Sequence, residues 1–178
     1  ENIPPGSDYL ICTPWMLGER CPISTTTTRA TLFNMSPSHT REHIMRAVYE
    51  GIAFNLRWIL ENFKKDYGFA CKSFRIIGGG ALDKAWMQII ADITNTEFEV
   101  VANPRSAGAL GSAIVALIGL GELKNFEEAR DFVKVSNRYR PNTKNVCLYN
   151  DMFATYKRLY YDLKKTYKAA NSKRFKGE

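Results

Sequence analysis

Phe74-Arg75-Ile76-Ile77-Gly78-Gly79-Gly80-Ala81-Leu82-Asp83-Lys84-Ala85-Trp86-Met87-Gln88-Ile89-Ile90-Ala91-Asp92 is the stretch that decides the fold. Phe74 to Ile77 is a short apolar run of strand character, and the three glycines end it. From about Lys84 to Ile93, Trp86, Ile89, Ile90 and Ile93 recur at spacings of three and four, which predicts a helix with those residues inward, closed by Asn95. A backbone without side chains lets a phosphate or a flat base lie against it, and N–H groups at a helix start favour an anion. The competing reading is a tight strand-to-helix turn that binds nothing. The turn is not a P-loop, because no Gly-Lys-Ser/Thr follows, and it is not a dinucleotide fingerprint.

Working outward, Tyr9 to Cys12 predicts a strand stopped by Pro14, and Trp15 to Thr31 a long ordered loop with a β excursion at its threonines. Pro37 to Phe63 predicts a long helix capped by Ser38 or Thr40. Its expected apolar stripe is Ile44, Val48, Ile52, Leu56, Ile59 and Phe63, with Arg46, Arg57 and Glu61 opposite. Phe98 to Val101 is a second strand of the central stretch. Ala107 to Leu120 is a helix whose small residues permit close approach by a neighbour, and Phe126 to Val133 is a short helix. Met152 to about Ala169 is a final amphipathic helix presenting Phe153, Tyr156, Leu159, Tyr160, Leu163 and Tyr167. The order predicts an α/β domain with a layered sheet. Residues 1–8 read as a linker, 9–167 as the domain, and 168–178 as a basic tail expected to be disordered.

Hydrophobic residues make up 45% and charged residues 24%, which is a globular balance and excludes a disordered or fibrous chain. Net charge is +7, but residues 138–178 hold 11 Lys and Arg against 3 Asp and Glu, whereas residues 1–137 hold 14 against 15. The excess therefore belongs to the C-terminal part. A nucleic-acid binder would spread it over a face with a recognition element, and none is visible. Ala107 to Leu120 is too short and too broken by glycine for a membrane span. Cys12, Cys21, Cys71 and Cys147 form no C-x-x-C pair, so they read as free, buried thiols of a reducing cytoplasm.

Four ordered blocks resemble the FGGY family of carbohydrate kinases. These are Thr13-Pro14-Trp15-Met16-Leu17-Gly18-Glu19-Arg20-Cys21-Pro22, the helix from His39 to Phe54, the block from Gly78 to Asp92, and Ala107-Gly108-Ala109-Leu110-Gly111-Ser112-Ala113. The match covers about residues 7 to 167, and its wording is nearest to the bacterial xylulokinases of that family. The resemblance implies an actin-like (ribonuclease H-like) lobe, a mixed sheet flanked by helices, forming the C-terminal nucleotide-binding half of a two-lobed kinase. It implies transfer of a phosphoryl group from ATP, with Mg²⁺, to a ketose, D-xylulose giving D-xylulose 5-phosphate. It assigns ATP binding to Gly79, Gly80, Ala81 and Lys84. It places the catalytic aspartate, most of the sugar site and the Gly-Thr phosphate segment upstream of Glu1. No catalytic or metal-ligating residue is therefore assigned in this chain, which is expected to be inactive alone. The implied partners are ATP, the ketose and the N-terminal lobe, with a homodimer left open and no nucleic acid and no membrane expected. Thr25 and Ala30 depart from the family's Asp and Gly, in the loop from Pro22 to Thr31.

Other candidates weigh less. His39 and His43, four apart, have the spacing of two metal ligands on one helix face, but no third ligand suggests itself and cap or surface roles are preferred. Asp83 and Asp92 are set as Mg²⁺ ligands against packing roles. Glu19 and Arg20 are expected to pair or to hold their loop. The rival functions are a kinase for ribulose, fuculose, gluconate or glycerol, a non-catalytic actin-like regulatory lobe, and a basic nucleic-acid module resting on the tail alone.

Overall fold

The computed structural model describes residues 3–68 and 71–172. They fall into two compact units, one formed by the described residues of 1–70, 92–94 and 142–178, the other by 71–91 and 95–141.

In the first unit, β1 (Ile11–Thr13) pairs antiparallel with β2 (Thr31–Phe33), Cys12 opposite Leu32. All three residues of β1 are buried. Helix α1 (Arg41–Tyr67) lies on this strand. Its N-cap is Thr40, whose backbone N–H donates to His43 Nδ1 at 3.1 Å. Its buried face is Ala47, Gly51, Phe54 and Trp58, not the expected stripe: Ile44 and Val48 are half-buried, while Ile52 and Phe63 are 38% and 44% exposed. The reason is Gly51, where an added Cβ would collide with the Cys12 carbonyl oxygen. The helix approaches β1 through its small residues, and this contact sets its rotation. Helix α4 (Val146–Asn171) packs Tyr149, Phe153 and Tyr156 against Phe54, with ring centroids 5.4–6.0 Å apart. Trp15 meets Tyr156 edge-on at 5.5 Å.

One buried carboxylate joins three segments of this unit. Glu50 Oε1 accepts from Gly6 N (2.8 Å), Arg46 Nε (2.8 Å) and the Tyr149 hydroxyl (2.9 Å), and Oε2 accepts from the Ser7 hydroxyl (2.9 Å). Residues 1–8 read as a linker, yet Gly6 and Ser7 are built into the unit by these bonds. Burial pushes the Tyr149 hydroxyl well above the ordinary phenol range, and the Glu50 charge adds to it. Part of the expected tail belongs to the last helix. Residues 168–171 continue α4, and buried Asn171 donates from Nδ2 to the Thr27 carbonyl at 3.0 Å. Tyr167 and Thr31 join their hydroxyls. The rest of the expected tail, residues 173–178, lies outside the described residues.

In the second unit, β3 (Ser73–Ile76) pairs parallel with β4 (Glu97–Val101), and β4 pairs antiparallel with β5 (Val135–Tyr139). This is a mixed sheet in the order β3-β4-β5. Helix α2 (Lys84–Thr94) connects β3 to β4 and ends at Asn95, which holds the left-handed conformation that closes it. Helix α3 (Ala107–Gly119) follows β4, and a 3-10 turn (Glu128–Phe132) replaces the expected short helix. Among the described residues no helix is long and apolar enough to cross a membrane. The four cysteines are free, but only Cys12 is buried, where burial pushes its thiol up; Cys71 is intermediate, and Cys21 and Cys147 are exposed.

The Glu50 network sets an expectation. Glu50→Ala leaves the Arg46 charge and three other donors without their acceptor, and is expected to lower unfolding free energy by about 3–5 kcal/mol. Glu61→Ala, which removes a half-exposed partner of Arg57 and Lys157, is expected to cost under about 1 kcal/mol. Urea denaturation of the two variants checks the difference.

Candidate functional site

Strand β3 delivers the chain to Gly78, whose φ of 97° is open to glycine and strained for other residues. A 3-10 turn, Gly79–Leu82, follows, and Asp83 caps α2 by accepting from Trp86 N at 3.1 Å. The parallel strands β3 and β4 run into neighbouring turns. Gly78 N donates to the carbonyl of Pro104 (2.8 Å), which opens the short turn Pro104–Ser106 after β4. Two adjacent βα turns at the carboxyl ends of parallel strands form the usual ligand-binding edge of an α/β sheet.

The four residues assigned to ATP from sequence differ in what they present. Gly79 and Lys84 are exposed. Ala81 is 4% exposed, so almost none of it, side chain or backbone, is open to a ligand. Gly80 is covered from within, because an added Cβ would collide with the Trp86 ring. Its lack of a side chain is thus required by packing, and loss of binding in a Gly80→Val protein would report that collision. Beside the turn lies a cavity of about 480 Å³ with mostly apolar walls, among them Ile77, Val101, Leu110, Ile114 and Phe132, and lined also by Lys134.

The remaining sequence candidates have structural employment. Asp83 is the α2 cap. Asp92, buried, accepts from Asn142 N and Asn145 Nδ2, both at 2.8 Å. His43 accepts from Thr40 N and meets Asp8 Oδ2 through Nε2 at 3.1 Å, and His39 Nδ1 accepts from Ser36 N at 3.0 Å. Glu19 holds its loop, accepting from Arg20 N (2.8 Å) and Asn55 Nδ2 (3.2 Å) and exchanging two backbone bonds with Thr25. Sequence reasoning missed Arg105, whose Nε lies 3.9 Å from where a Cβ of Gly79 would stand. The available signal was its place in the turn after the next parallel strand.

Residues 4–120 match the C-terminal domain of the FGGY family of carbohydrate kinases. This chain belongs to that family. The xylulose kinase of Bacillus subtilis (strain 168) is 36% identical over 161 residues, which are 90% of this chain and 32% of that protein. Among solved structures, the ligand-bound xylulose kinase of Lactobacillus acidophilus superposes with a TM-score of 0.85 at 28% identity, covering 94% of this chain and 34% of the other. The gluconate kinase of the same organism gives 0.84 at 28%, with the same coverage. The FGGY chain thus has the actin-like ATPase fold of these sugar kinases, as the sequence resemblance implied. It spans about a third of the length of the relatives it matches.

Gly80 and Gly79 separate experimentally. Gly80→Ala is expected to cost about 1–3 kcal/mol by overpacking against Trp86. Gly79→Ala, where nothing crowds the new methyl, is expected to stay within about 0.5 kcal/mol of the parent chain. Thermal unfolding of both variants checks the order.

Proposed function

We propose that this FGGY chain is the ATP-binding C-terminal part of a sugar kinase that phosphorylates a ketose, D-xylulose in the first instance. The observation that carries this reading is the exposed Gly79 backbone at the carboxyl end of β3, inside the region that matches the family. Bare backbone between a strand end and a helix start suits an anionic, flat ligand. Lys84, exposed at the first position of α2, adds a positive charge to that edge. In such a reaction the γ-phosphoryl group passes to a sugar hydroxyl, and the protein's contribution is positioning and charge stabilisation. On this reading the chain's own residues hold the nucleotide, while the sugar and the base that takes its proton are held by the N-terminal lobe. The two carboxylates considered for Mg²⁺ have other employment: Asp83 is engaged as a cap and Asp92 is buried under two donors. The ion would come with the nucleotide's phosphates.

A second sugar is favoured by one observation. The gluconate kinase structure fits the chain as closely as the xylulose kinase does, 0.84 against 0.85. The nucleotide lobe therefore carries little information about the acceptor.

Calorimetry on the chain is the test. ADP is expected to bind with a Kd on the order of 0.1 mM, because few contacts share the cost of association. Gly79→Val, which fills the open space over the backbone, is expected to remove that binding while the melting temperature holds. Absence of ADP binding to the parent chain, or equal binding by the variant, overturns the assignment. In a coupled assay with D-xylulose, the chain alone is expected to release no sugar-dependent ADP.

A further inference from the structure

Two of the three glycines in the turn are explained by the fold. Gly78 has a positive φ, and Gly80 lies under the Trp86 ring. Gly79 has neither reason. Its φ is not positive, and the nearest atom to an added Cβ is Arg105 Nε at 3.9 Å, an ordinary van der Waals distance. An alanine would fit there, so the bare backbone leaves room that the folded chain does not use.

The group facing that room is a guanidinium without a partner. Arg105 is exposed, and its guanidinium makes no hydrogen bond or ion pair among the described residues. Of the other four arginines of the same unit, Arg75 and Arg138 pair with Glu99 at 3.2 and 3.0 Å and Arg140 with Glu97 at 2.9 Å, while Arg130, also exposed, lies away from the glycine turn in the 3-10 turn Glu128–Phe132. The base of Arg105 is held firmly. Buried Pro104 precedes it, the Pro104 carbonyl accepts from Gly78 N, and Ser106 N donates to the Asn103 carbonyl at 3.1 Å. A planar, permanently charged fork on a fixed turn, beside open backbone, matches the oxygens of a phosphate better than a flexible ammonium does.

We propose that Arg105 is a ligand-binding residue that takes a phosphate group of the nucleotide as it lies along the Gly79 backbone. This rests on the nucleotide reading above and deepens it, because it makes Arg105 the group that distinguishes a nucleotide from a nucleoside. Lys84 and Arg105 then put positive charge on both βα turns of the edge, one after β3 and one after β4.

The experiment is calorimetry with ADP and with adenosine on the parent chain, Arg105→Ala and Arg105→Lys. Arg105→Ala is expected to weaken ADP binding about tenfold or more and to leave adenosine binding unchanged. Arg105→Lys is expected to recover part of the loss, since it keeps the charge and not the fork. The melting temperatures are expected to match, because the guanidinium has no protein partner to lose. Unchanged ADP affinity in Arg105→Ala, or an equal loss for adenosine, overturns the proposal. A parent chain that binds ADP and adenosine equally also overturns it while leaving the nucleotide reading in place. A parent chain that binds neither removes the nucleotide reading and this assignment together.

Discussion

The first unit depends on a carboxylate that water cannot reach. Glu50 is 1% exposed and accepts four hydrogen bonds, from the N-terminal segment, from its own helix and from α4. A buried charge is tolerable only when its lone pairs are filled and an opposite charge is near. Arg46, one turn earlier on α1, supplies that charge, and Tyr149 links it to α4 by donating to Glu50 and accepting from Arg46. The geometry is demanding, so it fixes the register of α4 against α1 more tightly than the aromatic contacts do. Rings slide over one another at small cost, whereas a hydroxyl moved by an ångström loses its bond.

That network also explains how much of the fold was legible. The order of the long helices follows from periodicity and glycine punctuation, and α2 runs from Lys84 to Thr94 much as Trp86, Ile89, Ile90 and Ile93 indicate, but α4 begins at Val146, six residues before the expected Met152. The rotation of α1 did not follow. A periodicity argument weights the large apolar residues Ile52 and Phe63, but the contact with β1 is made where side chains are smallest, at Ala47 and Gly51. Small residues permit the closest approach, and the closest approach decides the face. Strand β5 was invisible for another reason. Val135-Ser136-Asn137-Arg138-Tyr139 has little strand character, and it is a strand because β4 offers a ladder and Glu99 pairs with Arg138 across it. Strand identity of that kind lives in the partner, more than thirty residues away.

Of the glycine turn, the position was legible and the division of labour among its glycines was not. Strand, glycines and helix in succession locate the turn, and four ordered motifs raise it above a common turn. They cannot say which glycine serves the fold. Gly78 serves the backbone and Gly80 serves Trp86, a residue six further on whose ring folds back over the turn. Ala81 turns inward. Arg105 could not be singled out by any spacing rule, because its relation to Gly79 is created by the pairing of β3 with β4 and by the bond from Gly78 N to Pro104.

A glycine in a tight turn therefore has three separable meanings, and a substitution tests only the one it disturbs. Where φ is positive, any side chain strains the backbone. Where a neighbour's ring occupies the Cβ position, any side chain displaces that ring. Only where neither holds does a side chain compete with a ligand alone. In this turn the first condition falls on Gly78 and the second on Gly80, and neither falls on Gly79. The same logic applies to charge. Arg75, Arg138 and Arg140 are held by glutamates and stabilise the sheet face, while Arg105 and Lys84 have no carboxylate to neutralise them among the described residues. Unspent positive charge beside unspent backbone is the arrangement an anion would complete. Both lie on the one edge of the sheet where two parallel strands end together.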